Sequence, residues 1–402
     1  MVHVAMQVQK LDRGGAPLIT LRIAGGMAEL GHRVDIVILE PVFNFNDEIP
    51  SNARLVALCG RQAAVASGDT PEGTILRGDS APLTLLARLA AVVRSNRLRL
   101  LMLRPKVAAY VLRLVPYIER ERPDIIFANL PPMEYSALLA ARSLSRPPPP
   151  IVPVVHSVFG QNSRQSRRRR LLFPKVAHVV AVSHGVAENI CATSGIAKAR
   201  VTTIQNPAYS PHVARLAKLQ PDHHWFRDAG PPIVLGVGRL VPDKDFHTLL
   251  EAFHFVRTQH ACRLLILGEG RMRRALEKRV RALDLSDHVS IPGWEDNPYA
   301  FMARASLFVL SSRREGFPTV LVEALACGCP AVSTDCPSGP SEILEAQDLL
   351  APVGDPKALA WVMLRAFKKP ANSTALRAKA ARFSVERAAQ KYDKLISGIV
   401  SV

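Results

Sequence analysis

Acidic side chains are scarce. The 402-residue chain has 34 Asp and Glu against 52 Lys and Arg, a formal net charge of +18. An excess of this size points to anionic partners: nucleic acid, an acidic membrane surface or a phosphorylated substrate. Cysteine is sparse too. The six thiols, Cys59, Cys191, Cys262, Cys327, Cys329 and Cys336, form no spaced metal framework, and Cys327-x-Cys329 is too short for a zinc knuckle. They read as reduced thiols in a cytoplasmic protein. No apolar run reaches about 18 residues, so no membrane-spanning helix is expected. No basic segment followed by an apolar run and a small-residue cleavage site opens the chain, so no signal peptide is expected. A GxGxxG fingerprint is also missing, which removes the usual dinucleotide motif. Few aromatics are interleaved with the arginine run at 164–170, which argues against nucleic acid as the partner.

Hydrophobic residues make up 48% of the chain, enough for sizeable cores, and the length suits two or three domains at roughly 150 residues each. Residues 2–8 alternate and are rich in β-branched side chains, which predicts a strand. Gly14-Gly15 follows, then a helical pattern over 17–30 and a second strand over 34–39. The double glycine lets backbone approach a ligand closely at the turn into the helix. Residues 82–118 are rich in Leu, Val and Ala. They carry Arg88, Arg94, Arg97, Arg99, Arg104, Lys106 and Arg113 with no acid before Glu119. Two helices broken near Pro105 are predicted there. Their basic amphipathic surface suits an anionic membrane interface, or helices packed on a sheet with Arg stems covering the edges. Strands are predicted at 123–128, 151–155, 176–182 and 201–204, with a helix at 133–143. His156 ends one strand, where side chains face the ligand crevice of a parallel sheet. Arg164 and Arg167–Arg170 come next, as a membrane- or phosphate-binding run or a solvated helix face, and His184 reads as a turn residue.

Residues 208–232 lack periodicity and mark the domain boundary. Beyond them, strand and helix alternate repeatedly: 233–237, 246–256, 263–267, a helix containing Met272, Leu276 and Val280, then 289–291, 297–304 and 305–310. This order predicts a doubly wound parallel sheet. Arg239 and Lys244 stand five positions apart on a strand-to-helix loop, suited to holding a diphosphate. Glu315 and Gly316 lie in a polar turn, and Pro318 suits the first position of a helix. That helix carries Val320, Leu321, Ala324 and Leu325 as its apolar stripe, with Glu323 inside it, and ends at Gly328. Its start offers free N–H groups and the positive end of a dipole to a phosphate. Two carboxylates bracket that end. Helices are predicted at 355–367, 374–383 and 385–399.

Taken together, Gly14-Gly15, Gly238-Arg239-Leu240 with Lys244, Gly268-Glu269-Gly270 and Glu315-Gly316-Phe317-Pro318 followed by Glu323 resemble the retaining glycosyltransferases of family four. The match covers most of the chain and is densest in the second half. It implies the GT-B fold, an α/β architecture of two Rossmann-like doubly wound parallel-sheet domains facing a central cleft. Residues 1–210 would bind the acceptor, 211–383 the nucleotide-sugar donor, and 384–402 would form a helix crossing back to the first domain. By the same resemblance, Arg239 and Lys244 hold the donor diphosphate, Glu323 the ribose hydroxyls, and Glu315 the sugar hydroxyls at the reacting face. Gly316, Phe317, Pro318 and Thr319 form the turn that presents main-chain N–H groups. Gly14 and Gly15 close over the phosphates, His156 touches the sugar, and Gly268, Gly270 and Trp294 border the base. Glu315, His156, Arg239 and Lys244 are the candidate catalytic groups. No metal or other cofactor is expected. The sequence departs from many relatives at Pro17, where they carry an acidic residue. The expected partners are a nucleotide-sugar donor, a lipid-linked or surface glycan acceptor and an anionic membrane surface at the cytoplasmic face. A UDP-sugar leads, with GDP-mannose as its rival. A sugar-nucleotide epimerase and a non-catalytic basic binding protein are the other readings.

Overall fold

A computed structural model of the protein describes residues 1–12, 14–40, 42, 48–58, 105–227, 230–369 and 372–400. The chain divides into two compact units. Met1–Val182, Val186–Asn206 and Val385–Val402 form one; Ser183–Gly185 and Pro207–Ser384 form the other.

The first unit is built on β1 (His3–Val8), α1 (Gly15–Glu29), β2 (Arg33–Ile38), β3 (Arg54–Ala57), α2 (Pro105–Glu121), β4 (Ile125–Asn129), α3 (Pro131–Ala141), β5 (Ile151–Val155), α4 (Arg164–Leu172), β6 (Val179–Ala181), α5 (His184–Ser194) and β7 (Val201–Thr203). Its seven strands run parallel in the order β3-β2-β1-β4-β5-β6-β7. All six residues of β1 and all five of β4 and β5 are buried, which is why these strands read as near-continuous apolar runs. The amino ends are tied by a buried charge network. Asp35 accepts from His3 (2.9 Å), Tyr117 (2.7 Å) and both nitrogens of the Arg54 fork (2.8 and 2.6 Å). Those contacts outweigh the cost of burial and hold its carboxyl well below the usual carboxylate range.

The second unit contains α6 (Pro211–Leu216), β8 (Ile233–Val237), α7 (Phe246–Arg257), β9 (Arg263–Leu267), α8 (Arg273–Ala282), β10 (Val289–Gly293), α9 (Pro298–Met302), β11 (Leu307–Leu310), α10 (Thr319–Ala326), β12 (Ala331–Thr334), α11 (Pro340–Leu344), β13 (Leu350–Ala351), α12 (Pro356–Lys368) and α13 (Ser373–Ala380). Six parallel strands lie in the order β10-β9-β8-β11-β12-β13. Leu249, Leu250 and Phe253 of α7 and Leu359 and Met363 of α12 pack with Val234, Leu264, Ile266, Leu307, Val309 and Val332 in one core. Each such side chain contributes about 1.5–3 kcal/mol on burial.

The last helix, α14 (Val385–Val400), belongs to the first unit. It lies against α1 where Gly26 leaves room: a Cβ there would sit 2.8 Å from Val385 Cγ1 and 3.0 Å from Ala389 Cβ. Tyr392 meets Phe127 edge-on at 5.1 Å, and His32 Nε2 is 3.0 Å from Asp393 Oδ1.

Several boundaries differ from the sequence reading. Pro318 is the residue before α10, with extended backbone (ψ 92°), and Thr319 is the first helical residue. Its carbonyl accepts from Leu321 N at 3.0 Å, so the ring fixes the entry from one position earlier. The rule that puts proline in a first helical turn applies instead to α3, which begins at Pro131-Pro132. His184 opens α5. The strand read at 176–182 shrinks to Val179–Ala181, and the one at 305–310 to Leu307–Leu310. Strands β3 and β13 and helices α6 and α11 went unread because they are only two to six residues long, too short for periodicity to show. Of the basic segment 82–118, residues 82–104 lie outside the described residues, and α2 begins at Pro105.

Candidate functional site

In the second unit the strand order reverses between β8 and β11, which opens a crevice at their carboxyl ends. The loops leaving these two strands are stitched together. Ser311 Oγ donates to Lys244 O (2.9 Å), Arg313 N to Asp243 O (2.8 Å) and Arg313 Nε to Asp245 Oδ2 (2.8 Å). Asp245, in a left-handed conformation (φ 47°), also caps α7 through Thr248. Lys244 is therefore delivered to Glu315: Nζ lies 2.5 Å from Oε1, and Ser312 Oγ donates to the same oxygen at 2.7 Å. Both contacts fall on Oε1, which leaves Oε2 with no hydrogen bond among the described residues. Ser312 is itself fully buried, its carbonyl accepting from Thr334 Oγ1 at 2.6 Å. Arg239 is exposed and has no carboxylate partner among the described residues. Of the two cations read from the sequence, one is thus already neutralised in place and the other is open.

The turn that follows is propped from below. Ser338 Oγ donates to Gly316 O at 2.7 Å. Gly339, at φ +97°, lies so close that a Cβ would come within 2.4 Å of Pro318 Cδ. Phe317 is buried edge-on against Phe383 at 5.3 Å. This geometry aims the start of α10 outward. The N–H groups of Thr319 and Val320 precede the first hydrogen bond of the helix, donated by Leu321 N, and these are the orphan donors of a helix start. Glu323 is buried, 5% exposed, one turn further on. The helix closes at Gly328, whose φ of +83° suits a left-handed terminator.

Gly268 and Gly270 have a packing duty. A Cβ on Gly268 would fall 1.9 Å from Gly238 O, and one on Gly270 would fall 2.4 Å from Leu240 O. The two loops run backbone against backbone, with Gly238 N donating to Leu267 O (3.0 Å) and Leu240 N to Glu269 O (2.8 Å). These glycines hold the Arg239 loop in place. Trp294, 40% exposed, donates to Asp296 at 2.9 Å. Among the described residues no group of three or more His, Cys, Asp or Glu side chains is arranged to hold a metal ion.

In the first unit the strand order reverses between β1 and β4. Gly14, extended, precedes α1, and Gly15 is its first, exposed residue. His156 follows β5, two strands away from β1. Its Nε2 lies 3.0 Å from Asn129 Oδ1, and Asn129 Nδ2 donates to Gln7 O at 3.3 Å. Burial, with the nearby Arg169 charge, pushes the His156 ring down to about 4. Arg169 corrects the reading of the arginine run as one surface. It is 2% exposed and grips the fully buried Glu134 with Nε–Oε2 at 3.1 Å and Nη2–Oε1 at 2.7 Å, between the rings of Phe159 and Phe173. Arg167 and Arg170 are exposed. Arg170 is also tethered, donating to Thr193 O (3.0 Å) and Gln161 O (2.7 Å). Sequence reasoning missed Asn129, Glu134, Ser312, Thr334 and Gly339. None has a local signature, since each acts through a partner 21 or more residues away or, for Ser312, through a loop fold.

Two family models match the chain: Glycosyltransferase Family 4 over residues 13–208, and Glycosyl transferases group 1 over residues 222–383. The chain belongs to the family 4 glycosyltransferases. It is 31% identical over 173 residues to N-acetylgalactosamine-N,N'-diacetylbacillosaminyl-diphospho-undecaprenol 4-alpha-N-acetylgalactosaminyltransferase of Campylobacter jejuni, a stretch covering 43% of this chain and 45% of that protein. It is 34% identical over 153 residues to the lipopolysaccharide core biosynthesis glycosyltransferase LpsE of Rhizobium meliloti, covering 36% of this chain and 43% of that one. The chain thus spans less than half the length of the curated relatives it matches. The crystal structure of Anabaena Alr3699/HepE in complex with UDP and glucose aligns over 99% of this chain and 100% of that one, with a TM-score of 0.71 at 19% identity. At that identity the likeness shows the shared fold, GT-B, with its two Rossmann-like parallel-sheet domains.

Proposed function

We propose that this family 4 member is a retaining, metal-independent hexosyltransferase that moves a sugar from a UDP-sugar to a lipid-linked or cell-surface glycan acceptor. The observation that carries the reading is the gathering of positive groups and carboxylates at one sheet end: Arg239, Lys244 and the outward start of α10, with Glu315 and Glu323 in the same turn and helix. Breaking a sugar–phosphate bond leaves an oxocarbenium-like sugar and a diphosphate with added negative charge. Arg239 grips that diphosphate bidentately. Lys244, with three N–H donors, reaches it while keeping its contact to Glu315. The amides of Thr319 and Val320 add the helix-start field. Positioned donors of this kind are each worth about 2.7–4 kcal/mol where removed from other enzymes. Glu323 accepts from the ribose hydroxyls and Glu315, through Oε2, from a sugar hydroxyl. Attack from the face the diphosphate leaves gives retention, with the departing phosphate taking the acceptor proton. UDP is favoured over GDP by the UDP-bound relative of the same fold. The acceptor class is supported by the undecaprenol-linked and lipopolysaccharide names among the relatives. An association with the inner membrane face through Arg167, Arg168 and Arg170 completes the reading. No described helix is long and apolar enough to cross a membrane.

The test is to incubate the protein with a panel of UDP- and GDP-sugars, with and without lipid extract, and to read products by mass spectrometry and anomeric NMR. A glycolipid of retained configuration made from a UDP-sugar without added metal is the expected result. Release of an epimerised sugar without acceptor would overturn the transferase reading, and turnover of GDP-mannose alone would overturn the choice of donor.

A further inference from the structure

The first unit holds a cavity of about 330 Å³ between the end of α3, the proline run before β5 and the segment joining α4 to β6. Leu138, Leu139, Ile151, Leu172 and Val176 give it an apolar wall. Pro148, Pro149 and Pro150 form one side, and prolines offer no amide N–H that an apolar occupant would leave unpaired. The carbonyls of the ending helices are met elsewhere. Ser143 Oγ donates to Leu139 O at 3.0 Å, and Arg200 Nη1 donates to Pro174 O (3.3 Å) and Val176 O (3.1 Å). Two further cations line the cavity, Arg142 and Lys175. Both are exposed, neither has an ion-pair partner among the described residues, and the lining contains no Asp or Glu. Leu171, 40% exposed, stands next to the lining Leu172.

We propose that this cavity takes one acyl chain of an anionic membrane phospholipid, with the headgroup phosphate on Arg142 and Lys175. The wall suits a hydrocarbon chain. The Arg fork grips two phosphate oxygens and Lys adds a point charge. Charge selects this occupant over the chain itself. Residues 82–104 are apolar enough to cover the cavity, but they carry five arginines and no acid. A second copy with net charge +18 brings the same repulsion. The cavity lies at the amino ends of the strands, where Ile151 opens β5. The crevice after β1 and β4 is at the carboxyl ends, about 17 Å away along a strand of this length, so a bound lipid leaves it open. The inference needs neither the donor nor the acceptor reading.

The experiment is calorimetric titration of the full chain with monomeric dihexanoyl-phosphatidylglycerol and with glycerol phosphate, the headgroup without chains. Co-sedimentation with phosphatidylglycerol-containing and pure phosphatidylcholine vesicles accompanies it. The wild type should bind one dihexanoyl lipid per chain, at least tenfold more tightly than glycerol phosphate, and should sediment only with the anionic vesicles. Arg142→Glu with Lys175→Glu should weaken the lipid at least tenfold. Lys391→Glu with Lys394→Glu makes the same change in charge on exposed residues of α14 that do not line the cavity, and should stay within twofold. Ala177→Trp, at an exposed lining residue, should weaken the lipid at least tenfold and leave glycerol phosphate unchanged. No saturable lipid binding by the wild type would overturn the proposal, as would glycerol phosphate binding equally well, which would mark a site for free phosphates. Equal losses in the two charge-reversed proteins would also overturn it, by showing attraction to net charge alone. Vesicle binding lost in Arg167→Ser with Arg168→Ser but kept in Arg142→Glu with Lys175→Glu would move the membrane contact to α4 and away from the cavity. The wild-type comparison and the charge pairs decide the matter even where Ala177→Trp fails to fold.

Discussion

Replacing Arg169 with Met should cost far more than the same change at Arg167, two residues away on the same helix. Arg169 and Glu134 are 2% and 0% exposed and meet through two hydrogen bonds. Removing the guanidinium leaves an uncompensated carboxylate among Phe159, Phe173 and the α3 core. A broken buried pair costs about 3–5 kcal/mol. Exposed Arg167 should stay within about 0.5 kcal/mol. Removing both charges with Glu134→Leu and Arg169→Met together should recover most of the loss, because hydrophobic replacement of a whole buried pair is close to neutral. Urea unfolding of the four proteins gives the differences from the midpoint and slope, and the cycle isolates the coupling. A coupling below about 1 kcal/mol, or an Arg169→Met protein as stable as Arg167→Met, would refute the assignment of Arg169 to the core. The same result decides how a membrane role should be tested. Neutralising all four arginines together would report unfolding, whereas Arg167→Ser with Arg168→Ser leaves the buried pair in place.

Glu323→Gln should fold normally and bind UDP roughly 10- to 150-fold more weakly, the loss expected for a hydrogen bond to a charged group; unchanged UDP affinity by calorimetry would remove Glu323 from the site. Gly268→Ala should destabilise the second unit and weaken UDP binding, since its Cβ would fall 1.9 Å from Gly238 O. Gly398→Ala, in α14 with nothing within 4 Å, should instead gain about 0.4–1 kcal/mol, and equal thermal melting of the two variants would contradict the backbone-on-backbone packing. Between pH 6.5 and about 4 the unfolded chain binds a proton on His156 that the folded chain refuses. The stability from the neutral ring is therefore complete above pH 6.5 and falls by about 3 kcal/mol as pH drops toward 4. Asp35, held below its ordinary 3.8, loses its contribution only at lower pH. Urea midpoints across this range should show the first decline disappear in His156→Gln, and an unaltered curve would sink the claim.

Much of the fold could be read before any coordinates, because parallel α/β units write themselves locally. Ile151–Val155 and Ile233–Val237 are unbroken apolar runs bounded by turns, and a strand buried on both faces has no other pattern to show. The loop residues Arg239, Lys244, Glu315 and Gly316 were legible for the same reason. They follow strands directly, so their place at a sheet end comes from chain order alone. The tertiary structure decided what the sequence could not rank. Four consecutive arginines look alike in sequence, yet helical rotation turns only Arg169 toward Glu134, 35 residues away. Gly-x-Gly at 268–270 reads as a ligand loop, but its glycines are set by the backbone of a loop thirty residues earlier. A lone His156 has two tautomers, and the choice between them comes from an amide on β4 and a carbonyl on β1. Periodicity and turn chemistry act over a few residues and so are visible in sequence order. Buried pairing, close backbone approach and proton placement arise between segments that meet only when the sheet closes, and these decided the roles of Arg169, Gly268 and His156.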